Sequence, residues 1–392
     1  MTNWNAPRGR IVVADAADPV PEHWRTLIPQ SEGTIQAFHL AAGRLVINTM
    51  VNAHSQLRVF DPDGREQDSI PLPGMGSVVT IDGEWNSPAV CFSYTSFQVP
   101  TTFYSYMPAT RKLSVISKPA DLSQLSDIAV DQVWYQSKDG TRVPMFLAHK
   151  KNLVKDGNQP VLLYGYGGFN WAQLPEFTPE IGVWLERGGI YAVANIRGGN
   201  EFGESWHRAG ELDQKQHSFD DFIAAAEWLV ANRYTNPKRI AIQGLSNGGL
   251  LVTACITQRP DLFAAAIGRY PLIDMIRYER FSIARWWTTE YGSVTDPAQF
   301  RTLYAYSPYH HVKKGTAYPA VLLITGEGDT RVDPSHARKM TATLQSATTS
   351  NRPILLLYDS KSGHSSSLST AAEVEQTSHE LAFLLWQLGV TP

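Results

Sequence analysis

The stretch Gly244-Leu245-Ser246-Asn247-Gly248-Gly249 carries the spacing Gly-x-Ser-x-Gly, which can lift a serine hydroxyl out of a fold as a nucleophile. That chemistry needs a turn so tight that its flanking residues have no Cβ, because a side chain there would strike the neighbouring strand or helix. Ahead of it, Lys238-Arg239-Ile240-Ala241-Ile242-Gln243 reads as a short apolar strand, and behind it Leu250-Leu251-Val252-Thr253-Ala254-Cys255-Ile256 reads as the start of a buried helix. A glycine-rich connection with an incidental serine lacks that context. In it, the amide of Asn247 sits at a helix N-terminus and faces the oxygen that turns negative in a tetrahedral intermediate.

A nucleophilic serine needs a base, and the base needs a group to orient it. The continuous apolar run Tyr318 to Thr325 reads as a buried parallel strand and leads into Gly326-Glu327-Gly328-Asp329. A second run, Pro353 to Tyr358, leads into Lys361-Ser362-Gly363-His364. Asp329 and His364 each fall just past the carboxyl end of a strand, where catalytic groups gather in open α/β sheets. With eleven histidines in the chain no single one is informative, but the order Ser246, Asp329, His364 is that of the α/β-hydrolases.

Five stretches together resemble the prolyl oligopeptidase family of serine peptidases: Gly165-Tyr166-Gly167-Gly168-Phe169-Asn170, Ala194-Asn195-Ile196-Arg197-Gly198-Gly199, the Ser246 elbow, Trp287-Thr288-Thr289-Glu290-Tyr291-Gly292 and Asp329-Thr330-Arg331-Val332. The resemblance runs from about Asn3 to the C-terminus. It implies that the Tyr166 hydroxyl joins the Asn247 N–H as an oxyanion donor. It implies that Phe169, Leu272, Trp287, Tyr291 and Val332 form an apolar pocket for the residue before the cleaved bond, with Trp287 stacking on a proline ring. Trp286 beside it is excluded only by the motif spacing. Arg331 matches an arginine that binds a substrate carbonyl, with pairing to a nearby acid as the alternative role. Asn200, where the family often has a third glycine, and Ser365-Ser366-Ser367 after His364 depart from the family pattern.

The 392 residues, 43% hydrophobic and 18% charged, allow a large core and more than one domain. A balance of 34 basic and 37 acidic side chains, net −3, argues against nucleic acid or anionic membrane as a partner. No apolar stretch approaches the roughly 20 residues that span a bilayer. Cys91 and Cys255 suggest neither a disulfide framework nor a metal site, Cys255 reading as a buried thiol. No cofactor is implied, and a start without signal-peptide features fits a cytoplasmic protein.

Six short β segments separated by turns lie between residues 10 and 106, and spacing near 40 to 45 residues per sheet suggests propeller blades. Residues 1–126 have room for about two or three blades, whereas a closed ring needs at least about four. The family carries seven, so a shortened member or a fragment is expected, monomeric by resemblance, with self-association through open blade edges the alternative. From residue 127 to 392 strands alternate with helices, which predicts a doubly wound, mostly parallel sheet: an α/β-hydrolase domain. In that domain Ser218 is expected to cap a helix, with Asp220 and Asp221 in its first turn, and Glu373 to Leu388 to form the last helix.

The expected activity is hydrolysis of oligopeptides on the carboxyl side of proline, through an acyl-enzyme on Ser246 with His364 as base and Asp329 as orienter. A carboxylic-ester hydrolase on the same scaffold and an inactive fragment remain alternatives. The ester reading would want a His-Gly-Gly-Gly-type loop where this chain has Gly165-Tyr166-Gly167-Gly168.

Overall fold

A computed structural model describes residues 1–119, 125–364 and 369–391; the serines at 365–367 lie outside the described residues. The chain divides into two compact units. One comprises Met1–Val130 with Ala172–Gly182 and Asn200–Trp206; the other comprises Asp131–Trp171, Val183–Gly199 and His207–Pro392.

The first unit is built from antiparallel sheets. A two-stranded sheet pairs β1 (Ile11–Val13) with β2 (Arg25–Ile28). One four-stranded sheet runs β3 (Thr34–Ala41), β4 (Arg44–Val51), β5 (His54–Phe60), β6 (Glu66–Ile70) in spatial order. The other contains β7 (Ser77–Asp82), β8 (Val90–Ser96), β9 (Val99–Met107) and β10 (Lys112–Ser117), ordered β10-β9-β8-β7. Turns fix the register. The β4–β5 hairpin closes through Asn52 and Ala53 at φ 49° and 60°, the left-handed pair that matches the twist of the flanking strands. The two four-stranded sheets share one core, in which Val46, Leu57 and Val59 meet Val90, Phe92 and Tyr106. These are two propeller-type blades.

The second unit holds an eight-stranded sheet. Its strands are β11 (Ile128–Gln136), β12 (Arg142–Lys150), β13 (Val161–Tyr164), β14 (Ile190–Ala194), β15 (Ile240–Leu245), β16 (Ala265–Arg269), β17 (Ala320–Gly326) and β18 (Ile354–Asp359). Their order is β11-β12-β14-β13-β15-β16-β17-β18, with β12 antiparallel to β14 and every pair from β14 to β18 parallel. β17 is buried along its whole length, as a strand covered on both faces must be. Helices α1 (Pro179–Glu186) and α2 (Glu204–Arg208) are each divided between the two units, and α3 (Gln216–Ala231), α4 (Asn247–Gln258), α5 (Thr288–Tyr291), α6 (Pro297–Tyr306), α7 (Ser335–Ala347) and α8 (Thr370–Leu388) belong to the second. No helix of the described residues is long and apolar enough to cross a membrane. Cys255 is fully buried in α4, and burial pushes its thiol up.

Ser218 corrects one expectation. α3 starts three residues earlier, at Gln216 with Lys215 at its cap position, and has no acidic residue in its first turn. The Ser218 hydroxyl donates instead to the Arg197 carbonyl at 2.7 Å, and Asp221 is buried against the Arg197 guanidinium at 2.6 Å. The serine and the acid serve the neighbouring loop, so tertiary contacts override the local capping signal.

His336, at the start of α7, is 1% exposed, and its Nδ1 accepts from the N–H groups of Ile273 (3.2 Å) and Asp274 (2.9 Å). Burial, with Lys339 adding, holds its pKa down from 6.5 to about 4. Between those values the unfolded chain binds a proton that the folded chain refuses, so stability falls as pH falls through this window and is flat above it. At pH 5 this group costs about 2 kcal/mol relative to pH 7.5. His336→Asn keeps an acceptor and loses the titration. Unfolding free energies from urea melts at the two pH values should differ less in the variant than in wild type by about that amount; an equal difference would show that His336 does not titrate as described.

Candidate active site

Ser246 sits between the last residue of β15 and the first of α4, with φ 58° and ψ −112°. This left-handed conformation turns the chain sharply enough to raise the side chain above the sheet. A Cβ on Gly244 would lie 2.2 Å from the Gly248 carbonyl oxygen, and one on Gly249 would lie 2.6 Å from the Pro271 Cβ. Gly244 is therefore required by space, as the motif implied, and so is Gly249 just beyond it; a Cβ on Gly248, the motif's second glycine, would lie 2.8 Å from the Gly165 carbonyl oxygen. The Ser246 N–H donates to the Arg269 carbonyl at 2.8 Å, tying the elbow to β16. Arg269 is held in turn by the buried Glu380 of α8, at 2.6 Å, and the same carboxylate takes a 2.7 Å bond from Gln243 of β15. Asn247 opens α4, so its amide has no intrahelical acceptor.

Asp329 follows β17 and His364 follows β18, on the two strands beyond β16. Because β15 to β18 are parallel, all three loops leave the same edge of the sheet. The Asp329 side chain is 0% exposed and its Oδ2 lies 2.7 Å from His364 Nδ1. Its Oδ1 accepts the N–H groups of Arg331 and Val332, each at 2.9 Å. Three donors on one carboxylate fix it as an acceptor and hold the imidazole with Nδ1 engaged, leaving Nε2 for proton exchange. The Tyr270 ring packs 5.3 Å from that of His364.

The loop after β13 carries Tyr166 and Phe169. Asn247 Nδ2 donates to the Tyr166 carbonyl at 2.6 Å, and its Oδ1 accepts the Tyr291 hydroxyl at 2.8 Å. One side chain beside the serine thus binds both the loop carrying Tyr166 and the aromatic ring of Tyr291. Burial pushes the Tyr166 phenol up, Tyr164 and Glu290 add to the shift, and Arg331 opposes it. A phenol held protonated is a donor. The Phe169 ring meets Trp287 edge-on at 6.1 Å and Tyr291 at 5.5 Å. Trp287 is half-buried, while Trp286 is 70% exposed under the Arg285 guanidinium, so Trp287 faces this cluster. Leu272 and Val332 are buried, and Arg331 is exposed, next to Val332 in sequence and close enough for its charge to act on Tyr166. The residues thus assemble as an Asp329–His364 pair and a Tyr166–Asn247–Tyr291–Phe169–Trp287 cluster.

Sequence reasoning missed Tyr270, whose only signal is its place just past β16, and the buried ion pair Lys215–Glu290, 3.6 Å apart. Glu290 lies inside the motif Trp287 to Gly292, yet a lone acid among aromatics gives no sign of its partner.

Two family models match the chain: "Prolyl oligopeptidase family" over residues 175–391 and "Prolyl oligopeptidase, N-terminal beta-propeller domain" over residues 1–119. A prolyl endopeptidase of Elizabethkingia miricola is 38% identical over 390 residues, 99% of this chain and 55% of that protein. A dual function macrocyclase-peptidase of Amanita bisporigera is 35% identical over 99% of this chain and 54% of that protein. A solved structure from work on two prolyl endopeptidases superposes with a TM-score of 0.94 at 42% identity, covering 99% of this chain and 58% of that one. Prolyl oligopeptidase B of Galerina marginata, bound to a 25mer macrocyclization substrate, superposes with a TM-score of 0.94 at 32% identity, covering 99% and 55%. The chain spans about half the length of the curated relatives it matches.

Asp329→Asn keeps the shape of the side chain but offers an amide N–H to His364 Nδ1, which favours the wrong tautomer. Labelling of Ser246 by an aryl fluorophosphonate should slow by about 10³- to 10⁴-fold. A rate within tenfold of wild type would separate Asp329 from the chemistry.

Proposed function

The chain belongs to the prolyl oligopeptidase family, and on that footing we propose that it is a serine peptidase cleaving oligopeptides on the carboxyl side of proline. The observation that carries the reading is the buried Asp329 carboxylate bonded to His364 Nδ1 at the sheet edge where the Ser246 elbow projects.

In this mechanism His364 Nε2 takes the proton from Ser246 Oγ as Oγ attacks the carbonyl carbon before the scissile bond. The oxygen of the tetrahedral intermediate is met by the Asn247 N–H, at the positive end of α4, and by the Tyr166 hydroxyl. His364 then delivers its proton to the departing amine, leaving an ester on Ser246. Water, deprotonated by the same imidazole, attacks that ester, and His364 returns the proton to Ser246 Oγ as the C–Oγ bond breaks and the acid leaves. Asp329 stays ionised throughout and stabilises the transient imidazolium. Phe169, Leu272, Trp287, Tyr291 and Val332 supply a flat apolar pocket without a counter-charge for lysine or arginine, and Trp287 has the half-buried face on which a pyrrolidine ring can stack. Arg331 is placed to receive a substrate carbonyl. Ester hydrolysis would pass through the same acyl-enzyme. The aromatic pocket favours the prolyl reading.

Two variants test it on chromogenic peptides ending in proline or alanine, beside a short-chain acyl ester. Ser246→Ala should remove essentially all turnover while keeping the fold, since a lone hydroxyl contributes little to stability and a nucleophile contributes many orders of magnitude to rate. Retention of more than about 5% of wild-type rate would displace Ser246 from its role. Trp287→Ala should lower kcat/KM for the proline peptide by about tenfold to a hundredfold, the value of about 1 to 3 kcal/mol of apolar contact, and spare the alanine peptide. Equal losses would mean that Trp287 supports the loop without reading the ring.

A further inference from the structure

Three main-chain groups of the loop carrying Tyr166 and Phe169 are each gripped by a side chain from a different segment. Asn247 Nδ2 holds the Tyr166 carbonyl at 2.6 Å, Lys215 Nζ donates to the Gly167 carbonyl at 2.7 Å, and Glu290 Oε1 accepts the Phe169 N–H at 2.9 Å. Lys215 and Glu290 are also a buried ion pair, with side chains 1% and 4% exposed. His207 Nε2 lies 2.8 Å from the second Glu290 oxygen, and the Lys215 ammonium stands 5.3 Å over the Tyr291 ring. Burial works against both charges. It pulls the Lys215 amine down, and it would push the Glu290 carboxyl up, but the His207 bond, the Lys215 charge and the Phe169 amide together leave that carboxyl below its ordinary value.

A buried pair of this kind is weak evidence for stability, because desolvation offsets its attraction. The loop supplies another use for it. Gly167, Phe169 and Asn170 all have left-handed backbones, at φ 66°, 56° and 57°. For a bulky residue such as Phe169 this conformation persists only when the surroundings over-determine it. The Lys215 and Glu290 bonds fall on the residues at and beside that strain.

We propose that Lys215 and Glu290 are positioning residues: together they clamp the loop so that the Tyr166 hydroxyl meets the oxyanion and the Phe169 ring forms the pocket wall. Neither touches substrate. The inference rests on the acyl-transfer reading given above, and it assigns the buried pair to geometry of the transition state instead of to folding.

The test compares wild type, Lys215→Met, Glu290→Leu and the double variant by three readouts: urea midpoint, amide exchange across residues 165–171, and the rate at which an aryl fluorophosphonate labels Ser246. Each single variant should speed exchange in that segment by at least about tenfold, leave α8 unchanged, and slow labelling by about 10²-fold, the order expected when a donor is misplaced by about 1 Å. In the double variant an apolar pair can restore the urea midpoint, but the segment should stay fast-exchanging and Ser246 slow. If the double variant recovers midpoint and labelling together, or if the single variants lower the midpoint with exchange and labelling as in wild type, the clamp is overturned. Labelling needs the nucleophile and the oxyanion donors but no proline. A wild type that labels without preferring proline therefore contradicts the prolyl specificity and leaves the clamp standing. A wild type that does not label removes the acyl-transfer reading, and exchange at 165–171 then decides alone whether the pair holds the loop.

Discussion

The site depends on the backbone of Ser246 being held at φ 58°, a conformation that costs a non-glycine residue on the order of 1–3 kcal/mol and lasts only where its surroundings enforce it. The enforcement is steric and directional. Gly244 and Gly249 leave no room for a Cβ, and the Ser246 amide is bonded to β16. The carboxylate of Glu380 reaches from α8 to Gln243 of β15 and Arg269 of β16, on either side of the elbow. The position of Ser246 is thus set by the register of two adjacent parallel strands and by one helix packed over them.

Parallel pairing then does the rest of the assembly. β15 to β18 all point one way, so the elbow and the loops bearing Asp329 and His364 emerge at one edge, spaced by the width of the intervening strands. Asp329 is committed to three donors and cannot swing away from His364. The loop after β13 has no such strand beneath it. Tyr166 and Phe169 ride on a loop whose backbone is unfavourable on its own, and side chains from α4, α5 and the start of α3 hold it.

Much of this was legible in the residues. The elbow and the two apolar runs ending near Asp329 and His364 follow from local pattern, because strand, turn and helix signals are short-range, whereas Trp287 stood out only by resemblance to the family. Long-range pairing was not legible. Ser218 and Asp221 look like a helix cap and prove to serve Arg197, and Lys215 and Glu290 lie 75 positions apart with nothing in either neighbourhood to join them. In the blades, β6, β7 and β10 escaped sequence reading, and each lies at the end of its sheet, where one neighbour is missing and the alternation of buried and exposed residues is weakened by polar content such as Glu66-Gln67-Asp68-Ser69.

The central claim is an acyl-enzyme on Ser246, and the most direct measurement is its capture. Rapid acid quench of the chain with an activated ester of a proline-ended peptide, followed by peptide mapping by mass spectrometry, should place the peptidyl group on the fragment containing Ser246, formed in a burst before steady turnover. Turnover without an adduct, or an adduct on any other residue, would contradict it.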